Sequence, residues 1–313
     1  MNKFFLILFG TLFAFRFSYA QDSTRHKENS DTTDISKLLE EQLNSEAKTK
    51  TQYVTAAFKT TRLIDGHSIE NAAAGVLDVK ISHRFGTIGG ENGGAYNFFG
   101  LDNAKMRLGF DYGITNTFMI GIGHSTDLKT YDGFFKWKIV RQSTGKVNMP
   151  VSVSYVPTIG IITFRSPTVY KTLGNRVNFV HQLLVGRKFS ESLSLQAMPT
   201  VIHRNLPVDG GPNDVFAVGI GGRYKLSKRT SFNAEYYYQL PGTRVPGSTN
   251  VLSFGFDIET GGHVFQLHVT NSSSMTESNF ITGNKGSWGK GDILFGFNIS
   301  RVFTVGKKHT KTW

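Results

Sequence analysis

Cysteine is absent from the 313 residues. That excludes a disulfide framework, lipid attachment through a cysteine and any thiol chemistry. A long apolar run is absent too. The longest, Phe4–Phe15, falls short of the roughly 18 residues that a membrane-crossing helix needs, so residence in a membrane requires strands closed into a barrel. The net charge is +12, yet no clustered basic stripe and no nucleic-acid motif collects it. Lys and Arg are spread singly along the chain, so nucleic acid is not an expected partner. What the chain has instead is glycine (34 residues) and aromatics (13%), against only 39% hydrophobic residues.

Residues 1–20 read as a secretory signal, with Lys3, the run Phe4–Phe15 and the small-residue end Ser18-Tyr19-Ala20. Residues 21–52 hold seven acids and five bases and read as a polar linker with one short helical pattern over 34–43. Segment 53–74 alternates weakly and fits an extra strand, a lumen plug or a periplasmic cap. Residues 75–304 are the expected barrel, and 305–313 a basic tail.

The stretch DVFAVGIGGRYKLSKRTSFNAEYYYQL (214–240) shows the repeating unit. Phe216, Val218, Ile220, Tyr224 and Leu226 share one parity; Ala217, Gly219, Gly221, Arg223 and Lys225 share the other. After Ser227-Lys228-Arg229-Thr230 the alternation resumes at Phe232, Ala234, Tyr236, Tyr238 and Leu240. Side chains on a strand point alternately to opposite faces, so this is an amphipathic hairpin. Twelve such strands are expected: 76–85, 105–112, 117–124, 133–142, 150–163, 176–189, 193–204, 214–226, 231–240, 250–260, 263–271 and 292–304. Short turns (113–116, 143–149, 190–192, 227–230, 261–262) alternate with longer loops (86–104, 125–132, 164–175, 205–213, 241–249, 272–291). Transmembrane barrels pair short periplasmic turns with longer external loops on an even number of strands. The expected fold is therefore all-β, a transmembrane antiparallel up-and-down barrel of about twelve strands in the outer membrane.

Alternation alone also fits a soluble barrel with its apolar face inward, or a two-sheet sandwich. Three features weigh against these. A barrel of twelve strands is too wide for wall side chains alone to fill. Gly109, Gly121, Gly123, Gly219, Gly221, Gly255 and Gly296 fall on the polar parity, as suits a crowded lumen. Aromatics stand beside the short turns, at Tyr112, Phe118, Phe189, Tyr224 and Phe232, as in an interfacial girdle.

The stretches TAAFKTTRLIDGHSIE (55–70), GLDNAKMRLGFDYGITN (100–116), KTYDGFFKWKIVRQSTG (129–145), HQLLVGRKFSESLSLQAMPTVIHRN (181–205), NDVFAVGIGGRYKLSKR (213–229), FDIETGGHVFQLHVTN (256–271) and GDILFGFNISRVFTV (291–305) carry a family resemblance. Together they resemble an uncharacterised group of outer-membrane β-barrel proteins from Bacteroidota, a domain of unknown function. The resemblance implies a barrel in the outer membrane; it implies no activity, cofactor or substrate. Barrels of this type end on an aromatic, whereas here Phe303 is followed by a basic tail to Trp313, leaving either to serve the assembly machinery.

No cofactor and no metal is expected. His263 and His268 are five apart on one strand and face opposite ways, and His124, His181 and His203 lie on separate strands without a ligand-spaced partner. Gly121-Ile122-Gly123 and Gly219-Ile220-Gly221-Gly222 lie inside strands and precede no helix, so they are not phosphate loops. A hydrolase needs a Ser–His pair, and no serine of matching parity neighbours His263. Enzymatic activity is not expected, and an outer-membrane hydrolase is the remote alternative.

The functional content lies in the inward parity. Its candidate lumen-lining residues are Lys80, Arg84, Arg107, Asp111, Arg223, Glu235, Asp257 and Glu259, with further bases at Lys105, Lys136, Lys138, Arg204 and Lys225 and a further acid at Asp78. One reading is a channel for small solutes, or a ligand site, with a mildly cationic lumen, since rings of charge set selectivity. The other is that these charges pair across the lumen and lock a plugged, structural or interaction barrel. The polar lumen weighs toward passage. Expected partners are outer-membrane lipid, the barrel-assembly machinery and an unidentified small solute, with the protein a monomer.

Overall fold

A computed structural model describes residues 35–40, 49–90, 93–166 and 168–306. The chain divides into two units, residues 1–46 and 47–313. In the first, the described part is helical over 35–40. The expected signal, most of the linker and the tail beyond residue 306 lie outside the described residues.

The strands of the second unit are β1 (Thr51–Tyr53), β2 (Val76–Thr87), β3 (Ala104–Gly113), β4 (Phe118–Ser125), β5 (Thr130–Val140), β6 (Ser143–Gly145) and β7 (Ser152–Ile162). They continue with β8 (Val177–Lys188), β9 (Leu193–Arg204), β10 (Asp214–Lys225), β11 (Thr230–Gln239), β12 (Val251–Thr260), β13 (His263–Thr270) and β14 (Leu294–Thr304). Twelve of them form one closed antiparallel barrel, each paired with its neighbour in the chain, and β14 closes on β2. The short strands β1 and β6 pair with each other as a separate ribbon. Closure leaves the barrel sheet with no free edge, which is what allows strands to cross a bilayer.

The two parities have opposite environments. On β10, Val215, Ala217, Gly219, Gly221 and Arg223 are buried inward, while Phe216, Ile220 and Tyr224 are exposed outward. The outward set continues around the wall as Ile120, Ile122, Phe135, Trp137, Leu183 and Leu267. An apolar outer band over a polar interior is the arrangement of a membrane barrel, and it excludes the soluble barrel. Between β12 and β13 the chain reverses at Gly261, whose φ of 59° is left-handed and costs glycine little.

One strand start differs from the sequence pattern in a way that matters. β5 begins at Thr130, three residues before Gly133, because its ladder with β7 continues to Thr130 and Ile162. Gly133 weakens the strand signal by carrying no side chain. The earlier start turns Asp132 into the lumen. In the same region, β6 occupies part of what reads as a plain turn over 143–149.

Candidate functional site

The lumen is filled from the short-turn end by segment 54–74. Its centre is a hairpin: Leu63 N–H donates to Gly66 O at 2.9 Å and Ser68 N–H to Thr61 O at 3.0 Å. Asp65-Gly66 supplies the turn chemistry, since Asp and Gly tolerate the tight reversal. The residues from Thr61 to Ile69 are buried throughout.

Wall side chains satisfy the hairpin backbone almost group by group. The Glu235 carboxylate accepts the N–H groups of Ile64, Asp65 and Gly66 at 3.0, 2.8 and 2.9 Å. Lys136 Nζ donates to the carbonyls of Thr61, Ser68 and Glu70 at 2.9, 2.8 and 2.9 Å. Arg223 donates to Ala56 O and Ala57 O, Gln196 to His67 O, Gln266 to Leu63 O and Asn298 to Ile64 O. Buried backbone polar groups require such partners, so the inward polar parity is matched to the hairpin rather than to bulk water.

Ion pairs complete the seat. Arg84 donates to Asp65 Oδ1 at 2.5 Å, and the Ser253 hydroxyl donates to Asp65 Oδ2 at 2.7 Å. Lys80 lies 2.6 Å from both Asp78 and Asp111, and Thr61 donates to Asp111 at 2.7 Å. Arg107 grips Asp132 through both Nε and Nη2. Small wall residues leave room: a Cβ at Gly186 would lie 3.2 Å from Ile69 Cβ, and one at Gly221 2.9 Å from Leu63 Cδ2.

From the opposite end, the connection between β13 and β14 folds inward. All six residues of its helix, Glu277–Thr282, are buried. Gln239 donates to Ile281 O at 2.7 Å and Asn279 to Thr130 Oγ1 at 3.2 Å, tying this helix to the wall. Hairpin and helix meet where Arg62 Nη1 lies 2.6 Å from Glu277 Oε1 and His67 Nε2 lies 3.4 Å from the same oxygen. The His67 ring packs edge-on against Phe134, with centroids 4.4 Å apart.

Two larger cavities stand at the mouths of the lumen. One of about 560 Å³ at the short-turn end is bordered by Lys59, Glu70, Asn71 and His263, and one of about 310 Å³ at the other end by Phe85, Asn103, Lys105 and Ser273. Between them, a cavity of about 20 Å³ beside Arg62, Lys80 and Asn298 has room for roughly one water. At this level Lys136 and His67 are 0% exposed and Arg107 and Glu235 1%. The hairpin and the helix that fill the lumen around these side chains keep them from solvent.

The structure brings Lys80, Arg84, Arg107, Asp111, Arg223, Glu235 and Asp257 into this one buried system. Asp257 accepts from Gln266 at 2.6 Å and from Ser231 at 3.4 Å. Glu259 stands apart at the rim, its side chain 46% exposed and paired with Lys59. Sequence patterning missed three counter-ions: Asp65 in the hairpin, Asp132 at the early start of β5, and Glu277 in a connection. For Asp132 a signal existed, because it shares the parity of Phe134 and Lys136. Among the described residues no group of His, Asp and Glu side chains is placed to hold a metal ion.

Residues 58–303 match the model of a family described as a membrane bound beta barrel domain (DUF5777). No curated protein matches the sequence. Among solved structures, the chain is similar to the COG4313 outer membrane channel from Pseudomonas putida F1, at 12% identity and a TM-score of 0.49, covering 77% of this chain and 100% of that one. It is also similar to the NanC porin, at 10% identity and a TM-score of 0.45 over 72% and 98% of the two chains. For the KdgM porin the values are 9%, 0.45, 73% and 99%.

Proposed function

The chain belongs to the family of membrane-bound β-barrel domains, and from that premise we propose that it is a monomeric outer-membrane barrel that passes small polar solutes only when its N-terminal hairpin leaves the lumen. The observation that carries this is the chemistry of the hairpin's seat. Glu235, Lys136, Arg223, Gln196, Gln266 and Asn298 hold backbone groups that water satisfies nearly as well once the hairpin withdraws. A plug of purely apolar contact has no such exchange available. The alternation of short turns with long connections supports the outer membrane and a periplasmic entry of the hairpin. Closure of β14 on β2 within one chain supports a monomer.

Withdrawal also sets the sign of the lumen. Lys136, Arg223, Arg84 and Lys138 lose partners on the hairpin segment, as do Glu235, Glu259 and Glu277, which leaves an excess of one base, whereas Arg107 stays neutralised by Asp132. A mild preference for anions follows, since charges lining a narrow passage set selectivity.

A second reading, a permanently plugged structural barrel, is favoured by the apolar contacts of Ile69 and Leu63 with the wall. Conductance in planar bilayers separates the two. A cysteine pair at Ile69 and Gly186 suits the purpose: the chain has no other thiol, and a Cβ on residue 186 would stand 3.2 Å from that of Ile69, a few tenths of an ångström inside the ~3.5–4.5 Å of a disulfide. The proposal expects a barrel lacking residues 57–72 to conduct steadily. It expects rare openings in the wild type, lost on oxidising the I69C/G186C pair and regained on reduction. A correctly folded hairpin-less barrel that stays silent would sink the passage reading.

A further inference from the structure

The outer wall carries a gap that closing the lumen does not explain. Along the lipid-facing column of β5 run Tyr131, Gly133, Phe135 and Trp137, and at Gly133 the column has no side chain. Its cross-strand neighbours are Ile122 on β4 and Ile159 on β7. One row nearer the long-loop rim stand His124, Tyr131 and Ile161. With Leu108 and Phe110 of β3 these enclose an apolar notch of about 420 Å³, within the roughly 300–1,000 Å³ range of small-molecule sites.

Nothing in the packing demands glycine there. A Cβ at residue 133 would meet only Ile159 Cγ2, at 3.7 Å, an ordinary contact. Gly133 is also not among the residues with positive φ. A glycine inside a strand weakens it and often marks a bulge, a bend or the close approach of a ligand, and here the ladders with β4 and β7 run in register through Gly133 without a bulge.

The rim above the notch is basic. Leu128 and Lys129, just before β5, have φ of 51° and 48°, a left-handed backbone rare for residues other than glycine and often kept for function. Lys129 is exposed, and its carbonyl accepts the N–H of Thr163 at 3.2 Å, which fixes it over the row of Tyr131 and Ile161. Arg165, two residues past Thr163, is exposed as well. Among the described residues neither base has a carboxylate partner, and the adjacent Asp127 is taken by Lys105 and Ser274. His124 and Tyr131 line the side of the notch nearest that rim, their ring centroids 4.4 Å apart.

We propose that this notch binds one acyl chain of a phosphate-bearing lipid whose headgroup is held by Lys129 and Arg165. The membrane supplies the occupant, the missing side chain receives the chain, and the unpaired bases select an anionic headgroup over a zwitterionic one. The site is independent of whether the hairpin moves.

Native mass spectrometry of the detergent-purified barrel, with phosphatidylglycerol or phosphatidylcholine added, tests this. The wild type should retain one phosphatidylglycerol in preference to phosphatidylcholine. Lys129→Gln and Arg165→Gln should each weaken that retention by about fivefold, the effect of one basic residue near an anionic surface, and leave phosphatidylcholine unchanged. Gly133→Leu, its fold verified by heat-dependent gel migration, should lower retention of both lipids. Equal retention of the two lipids by the wild type would overturn the headgroup assignment. A folded Gly133→Leu barrel that binds like the wild type would overturn the notch; should that variant not fold, Ile122→Trp, which narrows the same gap from β4, carries the same expectation.

Discussion

Glu277 is 0% exposed, and the cation bonded to its carboxylate is Arg62, on a different element. Removing one member of a buried pair strands the other without compensation, at a cost of about 3–5 kcal/mol. Arg62→Met and Glu277→Gln should therefore each destabilise the barrel strongly, and the double variant should recover about 0.5–3 kcal/mol of the summed loss. Urea titration of folding into lipid vesicles measures all three. Additive losses would show that hairpin and helix are energetically independent. This pair was invisible in the sequence because 215 residues separate its members, and no local periodicity relates a hairpin arginine to a glutamate in a connection. The inward bases Lys80, Arg84 and Arg107 were legible from parity alone, as were Asp78 and Asp111, the acids beside Lys80. The acids that neutralise Arg84 and Arg107 were not, since Asp65 lies in a segment without clear pattern and Asp132 at a strand start blurred by Gly133.

The hairpin is fitted to its seat most tightly at Gly66. A Cβ there would lie 1.9 Å from the Tyr237 hydroxyl and 2.6 Å from Glu235 Oε1. Gly66→Val should consequently unseat the tip and leave the strands intact. Hydrogen exchange should rise across residues 60–69 with barrel amides still protected, and migration of the unboiled protein on a gel should not change. Equal protection in variant and wild type would mean that Tyr237 yields and the seat is softer than the geometry implies. The strands themselves were readable because their period of two is local and one face is apolar. The hairpin was not, since its Thr61-Arg62-Leu63-Ile64-Asp65-Gly66-His67 run fits a strand, a plug or a cap equally well. What distinguishes them is the complementary wall, contributed by side chains from β2 round to β14.

At the scale of the molecule, a paired lumen and a gated passage make different demands on charge. In a barrel lacking residues 57–72, Lys136→Glu with Arg223→Glu should move the reversal potential in a salt gradient toward cation preference. Arg107→Glu should instead impair folding, because it places an acid against Asp132, whose side chain is 1% exposed. Bilayer recordings and gel migration on the same preparations check both. A reversal potential that does not respond to Lys136 and Arg223 would mean that these bases do not line the passage.

Strand number, the alternation of short turns with long connections, and the division of each strand into an apolar and a polar parity were determined by the sequence alone, because each depends on alternation within about ten residues and on the lengths of connections. Alternation itself fits an apolar face turned either way, and the burial pattern of the closed wall shows that it faces outward. Whether the interior is open was decided only by the tertiary structure. Twelve strands enclose more space than their own side chains fill, so the lumen's state depends on which other segment enters it. That choice is made by contacts such as Glu235 with the amides of 64–66, which exist only once the ring of strands has closed.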